Sequence, residues 1–255
     1  MMNRVVIFIL GMVSSACASV AENFVSPPEK NMWVKVHGVM PYNTQPKIYP
    51  QYTSSRCTKR KMMSDATFYN ADGWKTYPIE INFDKSTGKY KVNIPLDGGT
   101  SCEWSLKRII MRVSPDSAVP YLKFFDELKH LSSFKITGQG VSVDISTSGD
   151  SDLTIEPEYY PRLSVRSNTN DNVLFLEPVE KGELNNALFV RDNVNAGEII
   201  FSPKIDEKYV VYYKVSGSKL DGTLKQEMHY PNGDVELKTD RVRPYKYYEN
   251  SNFNY

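Results

Sequence analysis

Three observations predict a mostly β fold of antiparallel β-sandwich type, with one short helix. Seventeen Tyr and eleven Phe stand among many Val, Ile and Thr residues, the types that fit a pleated, half-buried surface. Short runs alternate apolar and polar residues with the period of two expected of strands. Turn signals built on Gly, Pro, Asn and Asp separate these runs roughly every eight to twelve residues.

The first run, Met-Trp-Val-Lys-Val-His-Gly-Val at 32–39, alternates as a half-buried strand does. Residues 41–72, rich in Pro, Ser and Thr and containing Cys57, read as a long irregular loop. Runs at 77–84 and 89–96 alternate on either side of Lys85-Ser86-Thr87-Gly88, which makes them a hairpin. After Asp97-Gly98-Gly99-Thr100 a strand runs from Cys102 to about Val113, with Cys102, Trp104 and Leu106 on one face. Leu122, Phe125, Leu128 and Leu131 recur every three residues, and Pro120 suits a first helical turn, so the spacing predicts a helix over 120–131. Short strands are expected at 134–137 and 141–145, joined across Gly138-Gln139-Gly140, then at 153–156, 162–166, 173–176 and 198–201. The almost continuous apolar run at 208–215 suits a central strand. Runs at 224–230 and 234–239 flank Pro231-Asn232-Gly233, in which Asn-Gly signals a hairpin. The Tyr- and Asn-rich tail after Pro244 is expected to fray.

The N-terminus carries one positive charge, Arg4, then the apolar run 5–13, then Ser14-Ser15-Ala16-Cys17-Ala18. These are the three parts of a secretory signal. Nine residues rise only about 14 Å as a helix, against a hydrocarbon core of about 30 Å. Ser14-Ser15-Ala16-Cys17 resembles a bacterial lipobox, with Ser14 where an aliphatic residue is preferred, and would place a lipid anchor on Cys17. Cleavage after Ala18 is the competing reading. The organisation expected is a signal segment at 1–18, a tether at 19–30, a β-rich domain at 31–147 and a second β-rich unit at 148–255. A single extended sandwich is the alternative.

Removing Arg4 with the signal leaves as many Lys and Arg as the 30 Asp and Glu. A balanced chain is a poor partner for nucleic acid, which is bound by concentrated positive charge. The local cluster Arg56, Lys59, Arg60 and Lys61 reads as a solvated loop. Either cleavage leaves Cys57 and Cys102 as the pair in the body, and in an oxidising compartment such a pair forms a disulfide. The loop it closes spans about 45 residues, which the chain-entropy account values at about 4 kcal/mol. The pair lacks the CxxC spacing of a redox or zinc site.

No catalytic or metal constellation stands out. His37, His130 and His229 lie far apart in sequence and form no HExxH pattern. There is no GxSxG elbow and no phosphate-cradling glycine loop. Glu156 and Glu158 fit solvation of a strand better than a glycosidase pair. Asp144, Asp150 and Asp152 lack the spacing of an EF-hand. These readings predict no cofactor, no metal and no enzymatic activity. Aromatic pairs Tyr159-Tyr160 and Tyr212-Tyr213, with Tyr245, Tyr247 and Tyr248, should turn one ring of each pair outward, as interface residues or as caps on sheet edges.

Several segments together resemble a known group. They are the signal ending at a cysteine, the Cys57 loop, Ile79-Glu80-Ile81, Val92-Asn93-Ile94-Pro95-Leu96, Asp97-Gly98-Gly99 and Cys102-Glu103-Trp104-Ser105-Leu106. They resemble the periplasmic lipoproteins encoded beside antibacterial phospholipase effectors of type VI secretion systems. The similarity covers roughly residues 1 to 113, and its most specific piece is the Gly-Gly-x-x-Cys-x-Trp run at 98–104. It implies an immunity protein without catalytic activity, held in the periplasm, on the outer membrane, through lipidated Cys17. Such a protein binds a secreted phospholipase effector and blocks lipid hydrolysis. Two other classes compete: a structural or assembly lipoprotein of the envelope, and a periplasmic hydrolase or carbohydrate-binding enzyme.

Overall fold

Alternating burial organises nearly every strand of the computed structural model, which describes residues 24–131, 133–146, 152–166, 171–179, 187–190, 197–217 and 222–238. The signal segment with Cys17, the first tether residues, most of the boundary expected at 146–151, Asp150 and the tail with Tyr245, Tyr247 and Tyr248 lie outside the described residues. No described helix is long and apolar enough to cross a membrane.

Strand β1 (Trp33–Val39) buries Val34 and Val36 and turns Lys35 and His37 the other way. β2 (Thr44–Met62) and β3 (Phe68–Thr76) replace most of the loop expected at 41–72. β2 buries Thr44, Pro46, Ile48, Pro50, Tyr52 and Ser54 in strict alternation. Its two prolines hid it: Pro has no N–H for a ladder and argues against a central strand. Over Thr44 to Pro50, however, β2 pairs on one side only, with β7 (Trp104–Pro115), and β3 joins its other side from Gln51 onward. The prolines therefore sit where β2 is an edge.

The predicted hairpin at 77–96 is present but lopsided. β5 (Lys89–Pro95) is a full strand, whereas β4 (Asn82–Phe83) pairs it over two residues. The turn forms because Asp84 accepts hydrogen bonds from the Ser86 amide, the Ser86 hydroxyl and the Thr87 hydroxyl, and Gly88 takes φ +70°. β6 (Asp97–Gly99) then leads into β7. Lys107 is an extra residue in β7, because Gln51 faces Arg108 while Tyr52 faces Leu106. This bulge switches the buried parity from Trp104 and Leu106 to Ile109, Met111 and Val113.

The helix over 120–131 is a correction. The chain forms a four-residue helix, α1 (Val119–Leu122), then extends at Phe125 (φ −134°, ψ 111°), then makes a 3₁₀ turn over Asp126–Leu128. A repeat of three matches the 3₁₀ period rather than 3.6, so the same apolar series serves two short turns. Leu122, Phe125 and Leu128 still share one cluster, with Leu131 packed against it.

β8 (Lys135–Thr137) and β9 (Gln139–Ser146) do not form a hairpin across Gly138-Gln139-Gly140; they enter different sheets. A Cβ on Gly140 would stand 1.8 Å from the Met111 carbonyl oxygen, so glycine lets the crossing chain lie against β7. The remaining strands are β10 (Asp152–Ile155), β11 (Glu158–Arg166), β12 (Val173–Pro178), β13 (Ala187–Val190), β14 (Glu198–Phe201) and β15 (Lys204–Ile205). β16 (Val211–Ser216), β17 (Lys225–His229) and β18 (Val235–Lys238) complete the set. β16 is central, between β11 and β17, as its apolar run predicts. β17 and β18 form the Asn-Gly hairpin, with Gly233 at φ +88°.

Among the described residues three sheets result, in orders β10-β14-β1-β5-β4, β13-β9-β7-β2-β3 with β6 beside β7, and β18-β17-β16-β11-β12-β8 with β15 beside β11. Antiparallel pairs dominate the ladders, but β1–β14, β10–β14, β11–β16, β12–β8, β9–β13 and β11–β15 run parallel. The first two sheets enclose the largest core, from Val34, Val36, Val92 and Ile94 on one side to Ile48, Leu106, Ile109 and Met111 on the other. The third sheet packs Leu163, Leu174 and Tyr212 under α1 and the 3₁₀ turn. Its other face buries Tyr160, Tyr209, Val211, Met228 and Tyr230. The fold is mostly β, with one short helix.

Candidate interaction surface

The far end of the β2–β3 pair leaves the body of the sandwich. Residues 58–70 are exposed without interruption, on both faces of the ribbon. Its register pairs Lys59 with Ala71, Arg60 with Asn70, Lys61 with Tyr69 and Met62 with Phe68. The tip closes through the Met63 amide on the Thr67 carbonyl (2.8 Å) and the Ala66 amide on the Met63 carbonyl (3.1 Å). Asp65 accepts from the amide and hydroxyl of Thr67, and those hydrogen bonds hold its carboxyl below the usual range. Met62, Met63, Phe68, Tyr69 and Trp74 are each between 43% and 64% exposed, a concentration of large apolar groups that marks an interaction surface.

Five basic residues, Arg56, Lys59, Arg60, Lys61 and Lys75, stand against two acidic ones, Asp65 and Asp72, in this stretch. The Arg60 guanidinium lies 4.2 Å from the centre of the Phe68 ring, a cation–π arrangement. Arg56 is neutralised by Glu103 at 2.8 Å. Lys59, Arg60 and Lys61 meet no carboxylate within 4 Å among the described residues.

The base of the arm is tightly specified. The β2–β3 register shifts between Ser54 and Lys59, so residues 55–58 bulge outward. Cys57 lies in that bulge, its Cα 5.3 Å from that of Cys102 with the two sulfurs in contact, geometry that a disulfide fits. The Ser54 hydroxyl accepts from the amides of Arg56 and Cys57 and donates to the Cys102 carbonyl. A Cβ on Gly73 would stand 2.2 Å from the Cys57 carbonyl oxygen and 2.9 Å from Trp104 Cη2. Cys102, Trp104 and Leu106 are all buried, as their shared face predicts.

The Gly-Gly-x-x-Cys-x-Trp run has a structural account. A Cβ on Gly98 would crowd Trp104, Tyr52 and Val25, and one on Gly99 (φ +69°) would stand 2.1 Å from the Ser26 carbonyl oxygen. The two glycines thus let residues 25–28 lie on β6, where the Ser26 amide donates to the Gly98 carbonyl at 2.8 Å. The chain coming from the tether is held beside the base of the arm.

The other residues singled out by sequence do not converge. His37 on β1 lies 2.6 Å from Glu198 of β14. Lys35 hydrogen-bonds the same carboxyl and is the main cause of its lowered pKa. His130 is exposed after the 3₁₀ turn rather than on a helix. His229 on β17 lies under Tyr212, with ring centres 4.9 Å apart. Asp144 is bound by Arg108 of β7, whose side chain holds its carboxyl low, while Asp152 is in another sheet. Glu156 pairs with Lys204 at 3.1 Å, and Glu158 is exposed on β11. Among the described residues no three His, Cys, Asp or Glu side chains gather as a metal site would require. Tyr159 and Tyr160 do point to opposite faces, but both are buried, because sheet three is covered on both sides.

Sequence reasoning missed the arm. Period-two patterning arises from burial of one face, and a ribbon exposed on both faces has none to show. The available signal was five large apolar residues inside a charged stretch. Compared with known protein families, curated proteins and solved structures, the chain matches none.

Proposed function

We propose that this chain is a non-enzymatic, envelope-anchored immunity protein that binds and inhibits an antibacterial phospholipase effector. The observation that supports it most directly is the β2–β3 arm, an exposed ribbon that carries Met, Phe, Tyr and Trp on its two faces, interleaved with basic residues. Aromatic and Arg side chains are the types that carry binding energy at protein interfaces. A rigid base lowers the ordering cost of using them. A phospholipase cleft receives a molecule with apolar chains beneath a charged head. An arm with Met62, Met63 and Phe68 beside its end and basic residues behind them meets that chemistry and can fill the cleft. Lipidated Cys17 and the tether keep the protein at the periplasmic membrane surface, raising its local concentration where the effector acts.

The test is a pull-down of the oxidised chain lacking the signal segment against the phospholipase encoded beside it, with lipase activity read in parallel. Binding with loss of hydrolysis supports the reading. Failure to bind, or binding that leaves hydrolysis intact, favours the envelope-scaffold class instead.

A further inference from the structure

We propose that the β2–β3 arm is also a membrane contact, docking on an anionic bilayer surface when no protein occupies it. Chemical order along the arm carries the inference. Behind the short turn at 64–67 stand Met62, Met63 and Phe68, and Lys59, Arg60 and Lys61 follow immediately behind them. A bilayer presents its layers in the matching order, apolar boundary below and phosphates above, with Tyr and Trp favoured at the junction. Tyr69 and Trp74 lie on the return strand. Asp65, at the tip and ionised, limits the contact to headgroup depth.

Placement gives the second observation. Residues 25–28 pack beside the arm's base, so the chain leading to Cys17 leaves the fold at that end. Six residues lie between Cys17 and Phe24, a reach of at most about 25 Å when extended. The arm from Lys59 to Met63 projects about 13 Å as a strand. A tether of that length holds the body close enough for the tip to touch the surface in which the acyl chains sit. This distance argument rests on the anchored reading; the chemistry of the arm does not. On the bilayer, the arm waits where a phospholipase reaches its substrate, and the enzyme's cleft competes with lipid for it.

The experiment uses the oxidised chain from Ser19 onward, which carries no acyl group and keeps every described element. It is sedimented with vesicles of phosphatidylglycerol and phosphatidylcholine, or of phosphatidylcholine alone. The expected result is binding to the anionic vesicles only, weakened several-fold in about 0.5 M salt. The Lys59→Gln, Arg60→Gln, Lys61→Gln triple variant and the Met63→Ser, Phe68→Ser double variant should each reduce it by about tenfold or more. Both variants change exposed groups, and an unaltered near-ultraviolet circular dichroism spectrum verifies their fold. Absence of binding by the folded chain, or undiminished binding by both variants, overturns the proposal. So does an arm that ignores vesicles yet loses phospholipase binding when altered, since that makes it a protein plug alone. No effector is present in the vesicle assay, so its failure and failure of the immunity reading are separate results.

Discussion

Gly73 shows how much of the arm's geometry depends on a missing methyl group. Its Cβ would meet the Cys57 carbonyl oxygen at 2.2 Å, a backbone atom fixed by the bulge. Gly73→Ala should therefore cost about 1–3 kcal/mol, the range of a small overpacking change, read as a lower urea midpoint at unchanged slope. Asp84 offers a pH readout in the β4–β5 turn. The Ser86 and Thr87 hydroxyls, then the Ser86 amide, push its carboxyl down to about 2. A carboxylate depressed on folding contributes stability above its unfolded value near 4, and that contribution fades as pH falls toward 2. Carboxyl NMR should give a midpoint near 2, returning toward 4 in Ser86→Ala, Thr87→Ala; a wild-type midpoint near 4 refutes the turn network. Other residues were illegible one at a time. That Tyr160 is buried against Tyr209 depends on the second face of sheet three being covered, which no local pattern reports.

At the scale of elements, local signals served where a turn or one-sided burial produced them. The β4–β5 and β17–β18 turns, the shared face of Cys102, Trp104 and Leu106, and β14 were readable from spacing. The length of β2 was not, because its prolines are acceptable only at an edge that β7 and β3 together define. Nor was the break at Phe125, since one apolar series fits a helix or two short turns. The Cys57–Cys102 staple joins the bulge to the turn before β7, with a sequence separation of 45. Cys57→Ser with Cys102→Ser should cost up to about 4 kcal/mol on the chain-entropy account. Amide exchange should rise most over 55–72, while β1 and β5 keep their protection. Uniform loss of protection would mean the staple holds the whole sandwich rather than the arm.

At the scale of the molecule, the two-sheet core was legible as a class and its wiring was not. β1 pairs β14 in parallel, Val36 opposite Ile199, across more than half of the chain, and period-two patterning is silent about partners so remote. The large core joins the first two sheets through residues such as Ile109, buried completely between them. Ile109→Ala should cost about 2–5 kcal/mol and lower the thermal midpoint, whereas arm-tip changes should leave that midpoint in place. This separation of scaffold from contact surface makes the functional reading testable without confusing loss of fold with loss of binding. The most direct measurement is hydrolysis by the phospholipase effector proposed as the partner, titrated with the wild-type chain and with its Met63→Ser, Phe68→Ser variant. The account predicts that wild type abolishes hydrolysis at about stoichiometric amounts and that the folded variant needs at least about tenfold more, roughly 1.4 kcal/mol of lost binding. Full hydrolysis in the presence of excess wild type would contradict the immunity role, and equal inhibition by the variant would contradict the arm.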